Sequence, residues 1–138
     1  MYIFDFWTIS TSTITAMKAK GSKVMCAFSC GIAEFSRPDF NDFPLSAKGS
    51  TVPGTTNDKY LDIHDTAQYI NVIAARMDTA LSKGCDGILA QNVSTYLLGG
   101  GTGTGFTVTA QDQINYITLL ATTAHNKVLS LGIMNNFD

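Results

Sequence analysis

This sequence carries little charge. Only 14% of its 138 residues are Asp, Glu, Lys or Arg, whereas about a quarter is usual for a soluble domain. We interpret so weakly charged a surface as one that something else covers in part. The net charge is −2 and the pI is about 5.5, so the chain has no basic excess with which to bind a phosphate backbone. We therefore predict no nucleic-acid partner.

Cysteines are few and odd in number: Cys26, Cys30 and Cys85. At least one thiol stays unpaired if disulfides form. We interpret Cys26 and Cys85 as small core residues of neighbouring strands, because free cysteine is among the most buried residue types. Neither of the two histidines stands at ligand spacing from a cysteine. The sequence therefore predicts no metal site.

The sequence also lacks any run of about 18 apolar residues, so we predict no membrane-spanning helix. Residues 1–5 lack the basic start of a signal peptide and already have the composition of a strand. A glycine-rich stretch at 97–106 fits neither the dinucleotide-binding pattern nor the phosphate-loop pattern at any register. We expect a flexible loop over strand ends there, and we predict no cofactor.

What is present is an alternation of apolar and amphipathic segments. Strands are expected at residues 2–6, 23–29, 87–91 and 129–134, and the first and third of these are expected to be buried. Helices are expected at about 11–20, 66–83 and 110–127, with N-caps at Ser10, Asp65 and Thr109. The apolar faces of the last two helices are expected to consist of Ile70, Ile73, Met77 and Leu81, and of Ile114, Ile117, Ala121 and Ala124.

The connections between these segments differ in length. Those that follow strand carboxyl ends are long, and the longest, residues 30–64, holds all three prolines. This asymmetry is typical of a (β/α) barrel, in which about 250 residues form eight units. We therefore predict an α/β fold: a partial (β/α)8 TIM-type barrel of about four parallel strands and three main helices. It would form one domain over residues 1–138, with a long βα loop at 30–64.

A half barrel would leave the inner face of its sheet bare and both sheet edges open. We therefore predict either a homodimer that completes an eight-stranded barrel or a chain held by missing barrel segments.

Several motifs agree with one family. Residues 2–7 are similar to Y-D-I-D-L-F, and residues 26–39 to C-Y-F-S-A-G-x-x-E-x-x-R-P-D. Residues 83–96 follow K-G-C-D-G-V-E-P-D-N-V-D-G-Y, and residues 131–136 follow V-G-L-K-N-D. The chain thereby resembles the endo-α-1,4-polygalactosaminidases, glycoside hydrolase family 114, whose domain is a (β/α)8 barrel. The resemblance implies an amino-sugar polysaccharide as partner and an extracellular location.

The departures from these motifs remove acids. Leu89 and Gln91 stand where the family pattern has Glu and Asp, and Met134 and Asn136 stand where it has Lys and Asp. Glycoside hydrolysis generally uses two carboxyl groups. An amide still bonds a sugar hydroxyl, but it does not transfer protons at neutral pH. We therefore expect weak or no hydrolytic activity.

Two carboxylates remain as catalytic candidates. Glu34, the only glutamate, keeps its family position; it is either a general acid or sugar contact, or a loop carboxylate paired with Arg37. Asp5 is either a site residue inside the barrel or a structural hydrogen-bonding centre. Trp7 and Tyr96 either stack on a sugar ring or pack at the rim. The substrate-binding candidates are Trp7, Arg37, Gln91, Asn92, Tyr96, Asn135 and Asn136.

Three functions stay open from the sequence. The chain is a carbohydrate hydrolase domain, a non-catalytic sugar-binding domain, or a remnant whose fold another chain completes. Glycan binding without cleavage would identify the second function, and stability only with a partner would identify the third.

Overall fold

The structure is a computed structural model that describes residues 1–134. Its elements, in chain order, are β1 (Tyr2–Asp5), α1 (Thr11–Ala19), β2 (Val24–Ser29), β3 (Ile32–Ala33), β4 (Lys48–Thr51), β5 (Lys59–Leu61), α2 (Ile70–Lys83), β6 (Gly87–Gln91), α3 (Ala110–Asn126) and β7 (Ser130–Ile133). Short 3₁₀ segments occur at Phe40–Asp42, Leu45–Ala47, Thr66–Gln68 and Thr95–Gly101. Within residues 1–134, no helix has the length and apolarity needed to cross a membrane.

A four-stranded parallel sheet in the order β1-β2-β6-β7 forms the centre of the fold. One helix lies in each connection between successive strands of this sheet, because parallel neighbours need a crossover. The side chains that pack with these helices in one core are buried, among them Val24, Cys26, Phe28, Ile88 and Ala90. The predicted partial (β/α)8 barrel, with four parallel strands and three α-helices, is confirmed.

The other face of the sheet would point into a complete barrel. The strand register places Ile3, Met25, Gly87 and Ser130 in one row, and Asp5, Ala27, Leu89 and Gly132 in the next. Met25 and Leu89 lie over the glycines: a Cβ on Gly87 would be 2.7 Å from Met25 Sδ, and one on Gly132 would be 2.9 Å from Leu89 Cδ1. A groove of about 760 Å³ is lined by inner-face residues, among them Met25 and Leu89, and by Lys23 and Asp86 near the amino-terminal ends of the strands. In the described part of the chain, these two inner-face rows are open and mainly apolar, with Asp5 and Ser130 as their polar members.

The expectation that the first strand is buried is wrong. Tyr2 and Ile3 are each 49% exposed, and Asp5 is exposed as well. β1 is an edge of the sheet and pairs only with β2 among the described strands. The β-rich composition of residues 2–6 thus predicts a strand correctly, but it does not report how many neighbours the strand has.

Two of the three predicted N-caps are confirmed. The Ser10 hydroxyl accepts a hydrogen bond from a backbone N–H in the first turn of α1. Thr109 and Asp112 form a capping box, in which Asp112 N donates to Thr109 Oγ1 at 3.1 Å and Thr109 N donates to Asp112 Oδ2 at 2.8 Å. The Asp65 cap is wrong, because a 3₁₀ turn follows Asp65 and α2 begins only at Ile70.

The predicted apolar helix faces are each partly wrong. In α2, Ile73 and Met77 are buried as predicted, but Leu81 is 44% exposed and Arg76 is buried. In α3, Ile114 is 56% exposed. Ala124 is buried as predicted, and the other buried residues of α3 are Gln113, Tyr116 and Leu120. In both α2 and α3 the buried face includes a polar residue: Arg76 Nη1 donates to Ser29 O, and Gln113 Oε1 accepts from Thr95 N.

Cys26 and Cys85 form a disulfide with their Cα atoms 6.0 Å apart. The interpretation of two unbonded core residues is therefore wrong, although both side chains are buried. Cys30 is a free, buried thiol. Burial raises the pKa of Cys30 to about 12, so this thiol stays protonated near neutral pH and is a poor nucleophile.

Residues 30–64 contain a second, smaller sheet with the antiparallel order β3-β5-β4. Leu61 N donates to Gly31 O at 2.9 Å, which attaches this sheet to the end of β2. Ser50 N donates to Thr104 O at 2.8 Å, which joins β4 to the glycine-rich stretch. The small sheet therefore lies by the carboxyl ends of the parallel strands.

Candidate functional site

Polar side chains collect where the parallel strands end. Asp5 is the last residue of β1, Ser29 of β2 and Gln91 of β6, and Met134 directly follows β7. Neighbouring parallel strands end on the same side of a sheet, so these residues share one edge. The carboxyl edge is where barrel and open α/β folds build their ligand sites.

Asp5 shapes the turn that follows β1. Its Oδ1 accepts hydrogen bonds from Trp7 N at 2.9 Å, Thr8 N at 3.0 Å and Thr8 Oγ1 at 3.2 Å. Its Oδ2 lies 3.8 Å from Arg37 Nη2, and the side chain is 48% exposed. One oxygen thus holds the turn, while the other is accessible at the edge.

Arg37 brings the two candidate carboxylates together. Arg37 Nε lies 3.3 Å from Glu34 Oε2, and Arg37 Nη2 lies 3.5 Å from Glu34 Oε1. Asp5 Oδ2 lies 3.8 Å from the same Nη2 atom. The distance between Asp5 Oδ2 and Glu34 Oε1 is therefore at most about 7.3 Å. Glycosidases use carboxyl separations of about 5–9.5 Å. We call Asp5, Glu34 and Arg37 the acidic cluster.

Trp7 contacts two arginines. The Cζ atoms of Arg37 and Arg76 lie 5.2 and 5.1 Å from the centroid of the Trp7 ring, within the range of cation–π contacts. Phe6 packs against the same ring with the centroids 4.7 Å apart. The indole Nε1 is buried and makes no hydrogen bond within the described residues. These contacts support the rim-packing interpretation of Trp7 more directly than the sugar-stacking one.

A second group of polar side chains lies at the end of β6. Gln91 Nε2 lies 3.6 Å from Met134 Sδ. Asn92 Nδ2 donates to Ser29 Oγ at 3.0 Å, and the same hydroxyl accepts from Ile32 N at 3.1 Å. Asn92 thereby joins the ends of β2 and β6. A pocket of about 300 Å³ is lined by Gln91, Asn92, Ser94 and Met134. We call Gln91 and Asn92 the amide cluster.

The other sequence candidates are placed less directly. Tyr96 lies in the 3₁₀ segment after β6 and is partly buried against the core. Asn135 and Asn136 lie outside the described residues. The structure therefore brings Asp5, Trp7, Glu34 and Arg37 together, and separately Gln91 and Asn92.

Arg76 was not among the residues expected at the site from the sequence. Its side chain is almost entirely buried, and Nε and Nη2 donate to the two carboxylate oxygens of Asp39 at 2.6 and 2.9 Å. Nη1 donates to Ser29 O at 2.7 Å. A signal was present in the sequence, because Arg76 shares a helix face with Ile73 and Met77, and a guanidinium is seldom buried without a partner.

A separate pocket of about 490 Å³ is lined by His64, Asp112 and Phe106, among others. His64 Nδ1 lies 3.0 Å from Asp112 Oδ1, and this hydrogen bond, together with the Asp112 charge, raises the pKa of His64 above 6.5. Asp62 Oδ1 accepts from His64 N at 3.0 Å, which gives Asp62 a structural role. No group of three or more His, Cys, Asp or Glu side chains in residues 1–134 is arranged to hold a metal ion.

Comparison with solved structures shows clear similarity to Ega3 of Aspergillus fumigatus. In its crystal structure in complex with galactosamine, Ega3 of Aspergillus fumigatus superimposes with a TM-score of 0.87 at 33% sequence identity. The alignment covers 98% of this chain and 52% of Ega3, so the chain spans about half the length of that protein. No curated protein matches the chain.

Two more distant structures share the fold. The glycoside hydrolase domain of PelA from Pseudomonas aeruginosa has a TM-score of 0.67 at 13% identity and covers 98% of this chain and 52% of that one. Amy13B of Eubacterium rectale has a TM-score of 0.59 at 17% identity and covers 85% of this chain and 28% of that one. The model of glycoside hydrolase family GH114 matches residues 1–138, the whole of the sequence. This chain is a member of family GH114.

Proposed function

We propose that this chain binds an amino-sugar polysaccharide at the carboxyl edge of its parallel sheet and hydrolyses it weakly or not at all. The acidic cluster is the observation that carries the proposal. Its two carboxylates and one guanidinium leave one net negative charge, and the ammonium group of galactosamine is a cation. Electrostatic attraction therefore favours this ligand over a neutral sugar.

The amide cluster supplies a second, uncharged contact surface. Amides both donate and accept hydrogen bonds, so Gln91 and Asn92 suit the hydroxyl groups of a sugar ring. Tyr96 would border this surface, and Trp7 would border the acidic cluster. Asn135 and Asn136, the other predicted contacts, lie outside the described residues. A polymer lying across the strand ends would contact the acidic cluster with one sugar unit and the amide cluster with another.

Weak or absent hydrolysis follows from how the carboxylates are held. Proton transfer needs a carboxyl group within hydrogen-bond reach of the scissile oxygen. Glu34 and Asp5 are close enough to serve as a pair, but the Arg37 guanidinium contacts both. On β6 the family's acidic positions hold Leu89 and Gln91, neither of which transfers a proton.

Calorimetric titration with an α-1,4-linked galactosamine oligomer tests this function. We expect binding by the wild type, at least tenfold weaker binding by Glu34→Gln and Asp5→Asn, and no reducing ends released. Asp42→Asn is the matched control, because it removes an exposed carboxylate from the same segment. Equal affinity of all four proteins would refute the binding site. Turnover above blank that disappears with Glu34→Gln would show that the chain is a hydrolase with Glu34 as its acid.

We also propose that a second copy of the chain covers the inner face. Four strands are half of an eight-stranded barrel, and the chain aligns with half of Ega3. A two-fold axis along the barrel would place β7 of one copy beside β1 of the other with all strands parallel, so both open edges would be paired. Residues 1–138 would then form one half of a barrel domain.

Light scattering at low micromolar concentration, with thermal melts at several dilutions, tests the assembly. We expect the dimer mass and a melting temperature that falls on dilution, because dissociation exposes the inner face. A sharp melt at monomer mass, independent of concentration, would refute the homodimer. Aggregation at every concentration would also refute it and would point to missing barrel segments as the natural cover.

A further inference from the structure

Arg76 is a cation in an otherwise apolar helix face. Its neighbours on that face of α2 are Val72, Ile73, Met77 and Ala80, all buried, and Arg76 itself is 3% exposed. Burying a guanidinium is costly unless it is paired and fully hydrogen-bonded. An apolar side chain of similar length would fill this position without that cost, so stability alone does not call for an arginine.

The partners of Arg76 lie on two different parts of the site. The paired hydrogen bonds to Asp39, at 2.6 and 2.9 Å, fix the segment that follows β3. The third, to Ser29 O at 2.7 Å, fixes the end of β2. A guanidinium bonded to both oxygens of one carboxylate has little freedom to rotate. Arg76 therefore sets the position of Asp39 relative to the strand end.

Asp39 is two residues from Arg37, which holds both carboxylates of the acidic cluster. Pro38 stands between them, and its ring restricts the backbone to a narrow range of φ. The ring of Trp7 lies beside both arginines, with the two Cζ atoms about equally far from its centroid. Displacing Asp39 would therefore displace Arg37, and Arg37 would carry Glu34 with it.

We propose that Arg76 is a positioning residue for the acidic cluster. It touches neither Glu34 nor Asp5 in any contact of the described residues, and it acts on them through Asp39 and Arg37. The importance of Arg76 for ligand binding rests on the proposed function. Its effect on the position of Glu34 needs no ligand and is measured without one.

The test uses the double variant D39L/R76M, which removes both charges and leaves apolar side chains of similar size. Removing one partner alone would strand a buried charge and risk unfolding. The matched control is D78L/K127M, which removes another ion pair of α2. Because Glu34 is the only glutamate, labelling glutamate with carbon-13 at Cδ gives a single carboxyl resonance. The R37M variant gives the chemical shift of this resonance when the contact between Glu34 and Arg37 is absent.

In D39L/R76M we expect the Glu34 resonance to move at least half of the way to its R37M position, with the melting temperature within about 5 °C of wild type. Binding of the galactosamine oligomer should weaken about tenfold or more. D78L/K127M should keep the wild-type resonance and affinity. A wild-type resonance in a folded D39L/R76M would overturn the positioning role. If the wild-type protein binds no oligomer, the proposed function fails, and the Glu34 resonance still decides the role of Arg76.

Discussion

Gln91 and Met134 are neighbours at the strand-end edge, with the amide nitrogen of Gln91 3.6 Å from the sulfur of Met134. The family pattern that the sequence resembles has residues of opposite charge, Asp and Lys, at these two positions. In this chain an amide and a thioether, both uncharged, stand there. An amide beside a thioether is also a weaker contact than an ion pair.

The double variant Q91D/M134K should therefore be more stable than the sum of its single variants predicts. Q91D alone places a carboxylate beside a thioether, and M134K alone places an ammonium beside an amide. We expect a coupling free energy of up to about 1 kcal/mol, the usual upper value for a partly exposed pair. Urea unfolding of the four proteins measures it. A coupling of zero would mean that the two side chains do not meet in solution.

Q91D alone should restore no hydrolysis. A glycosidase needs two positioned carboxyl groups, and the other family position on β6 is the apolar Leu89. Release of reducing ends from a galactosamine polymer is the measurement, with Q91N as the control of matched size. Turnover by Q91D but not by Q91N would mean that an existing carboxylate, Glu34 or Asp5, already serves as the second group.

Loss of the disulfide should lower the stability of the chain. The bond between Cys26 and Cys85 spans 59 residues. The chain-entropy model gives about 4 kcal/mol for a loop of this length. We expect C26A/C85A to lose free energy of unfolding on this scale, and C30A to lose less. An unchanged stability of C26A/C85A would mean that the bond between Cys26 and Cys85 does not stabilise the folded chain.

The His64–Asp112 contact should stabilise the fold only at mildly acidic pH. Asp112, together with Asp62 and Asp65, raises the pKa of His64 above 6.5, so the contribution is complete below that value and is lost as pH rises through the folded-state pKa. The contribution of the Asp112 carboxylate to stability has the opposite pH dependence. The Thr109 hydroxyl, with further hydrogen bonds that include His64, lowers the pKa of Asp112, so its contribution disappears as pH falls below about 3.8.

The melting temperature of H64Q should accordingly lie below wild type at about pH 5.5 and equal it at about pH 8. H125Q, which changes an exposed histidine on α3, is the control. A deficit of H64Q that is the same at both pH values would show that the neutral hydrogen bond, rather than the imidazolium charge, carries the stabilisation.

Leu89→Lys should weaken the proposed dimer. It places an ammonium on the inner face, where a second copy would have to desolvate it. We expect the dissociation constant to rise at least tenfold, or about 1.4 kcal/mol, by light scattering on dilution. Leu45→Lys makes the same change at a leucine that is 84% exposed and should leave the mass unchanged. Equal effects of the two substitutions would argue against an interface at Leu89.

The architecture could be predicted from the sequence, but the contacts between buried side chains could not. Apolar runs and capping residues predicted every parallel strand and the start of α1 and α3, because these are local signals. Burial was harder to predict. Gln113 is buried and Ile114 exposed, because Gln113 accepts a hydrogen bond from Thr95 N, 18 positions earlier. The 3.6-residue periodicity of apolar residues in a helix cannot predict a hydrogen bond to a residue in another segment.

The same limit applies to the candidate site. The expected pairing of Glu34 with Arg37 is a contact at i, i+3, which sequence spacing can predict. The Arg76–Asp39 pair joins residues 37 positions apart, and the disulfide joins residues 59 apart. Only the three-dimensional packing of α2, and of the turn that follows it, against the parallel sheet brings these partners together.

The disulfide also gives the molecule a covalent ring. Residues 26–85 lie inside it, and with them Glu34, Arg37 and the whole small antiparallel sheet. The hairpin between β4 and β5 exposes Pro53 and Gly54 and is a natural target for a protease. A single cut there would leave both fragments linked through Cys26 and Cys85, with Asp39 on one fragment still bonded to Arg76 on the other. Nicked protein would therefore migrate as one species on a non-reducing gel and separate into two only after the thiols are reduced.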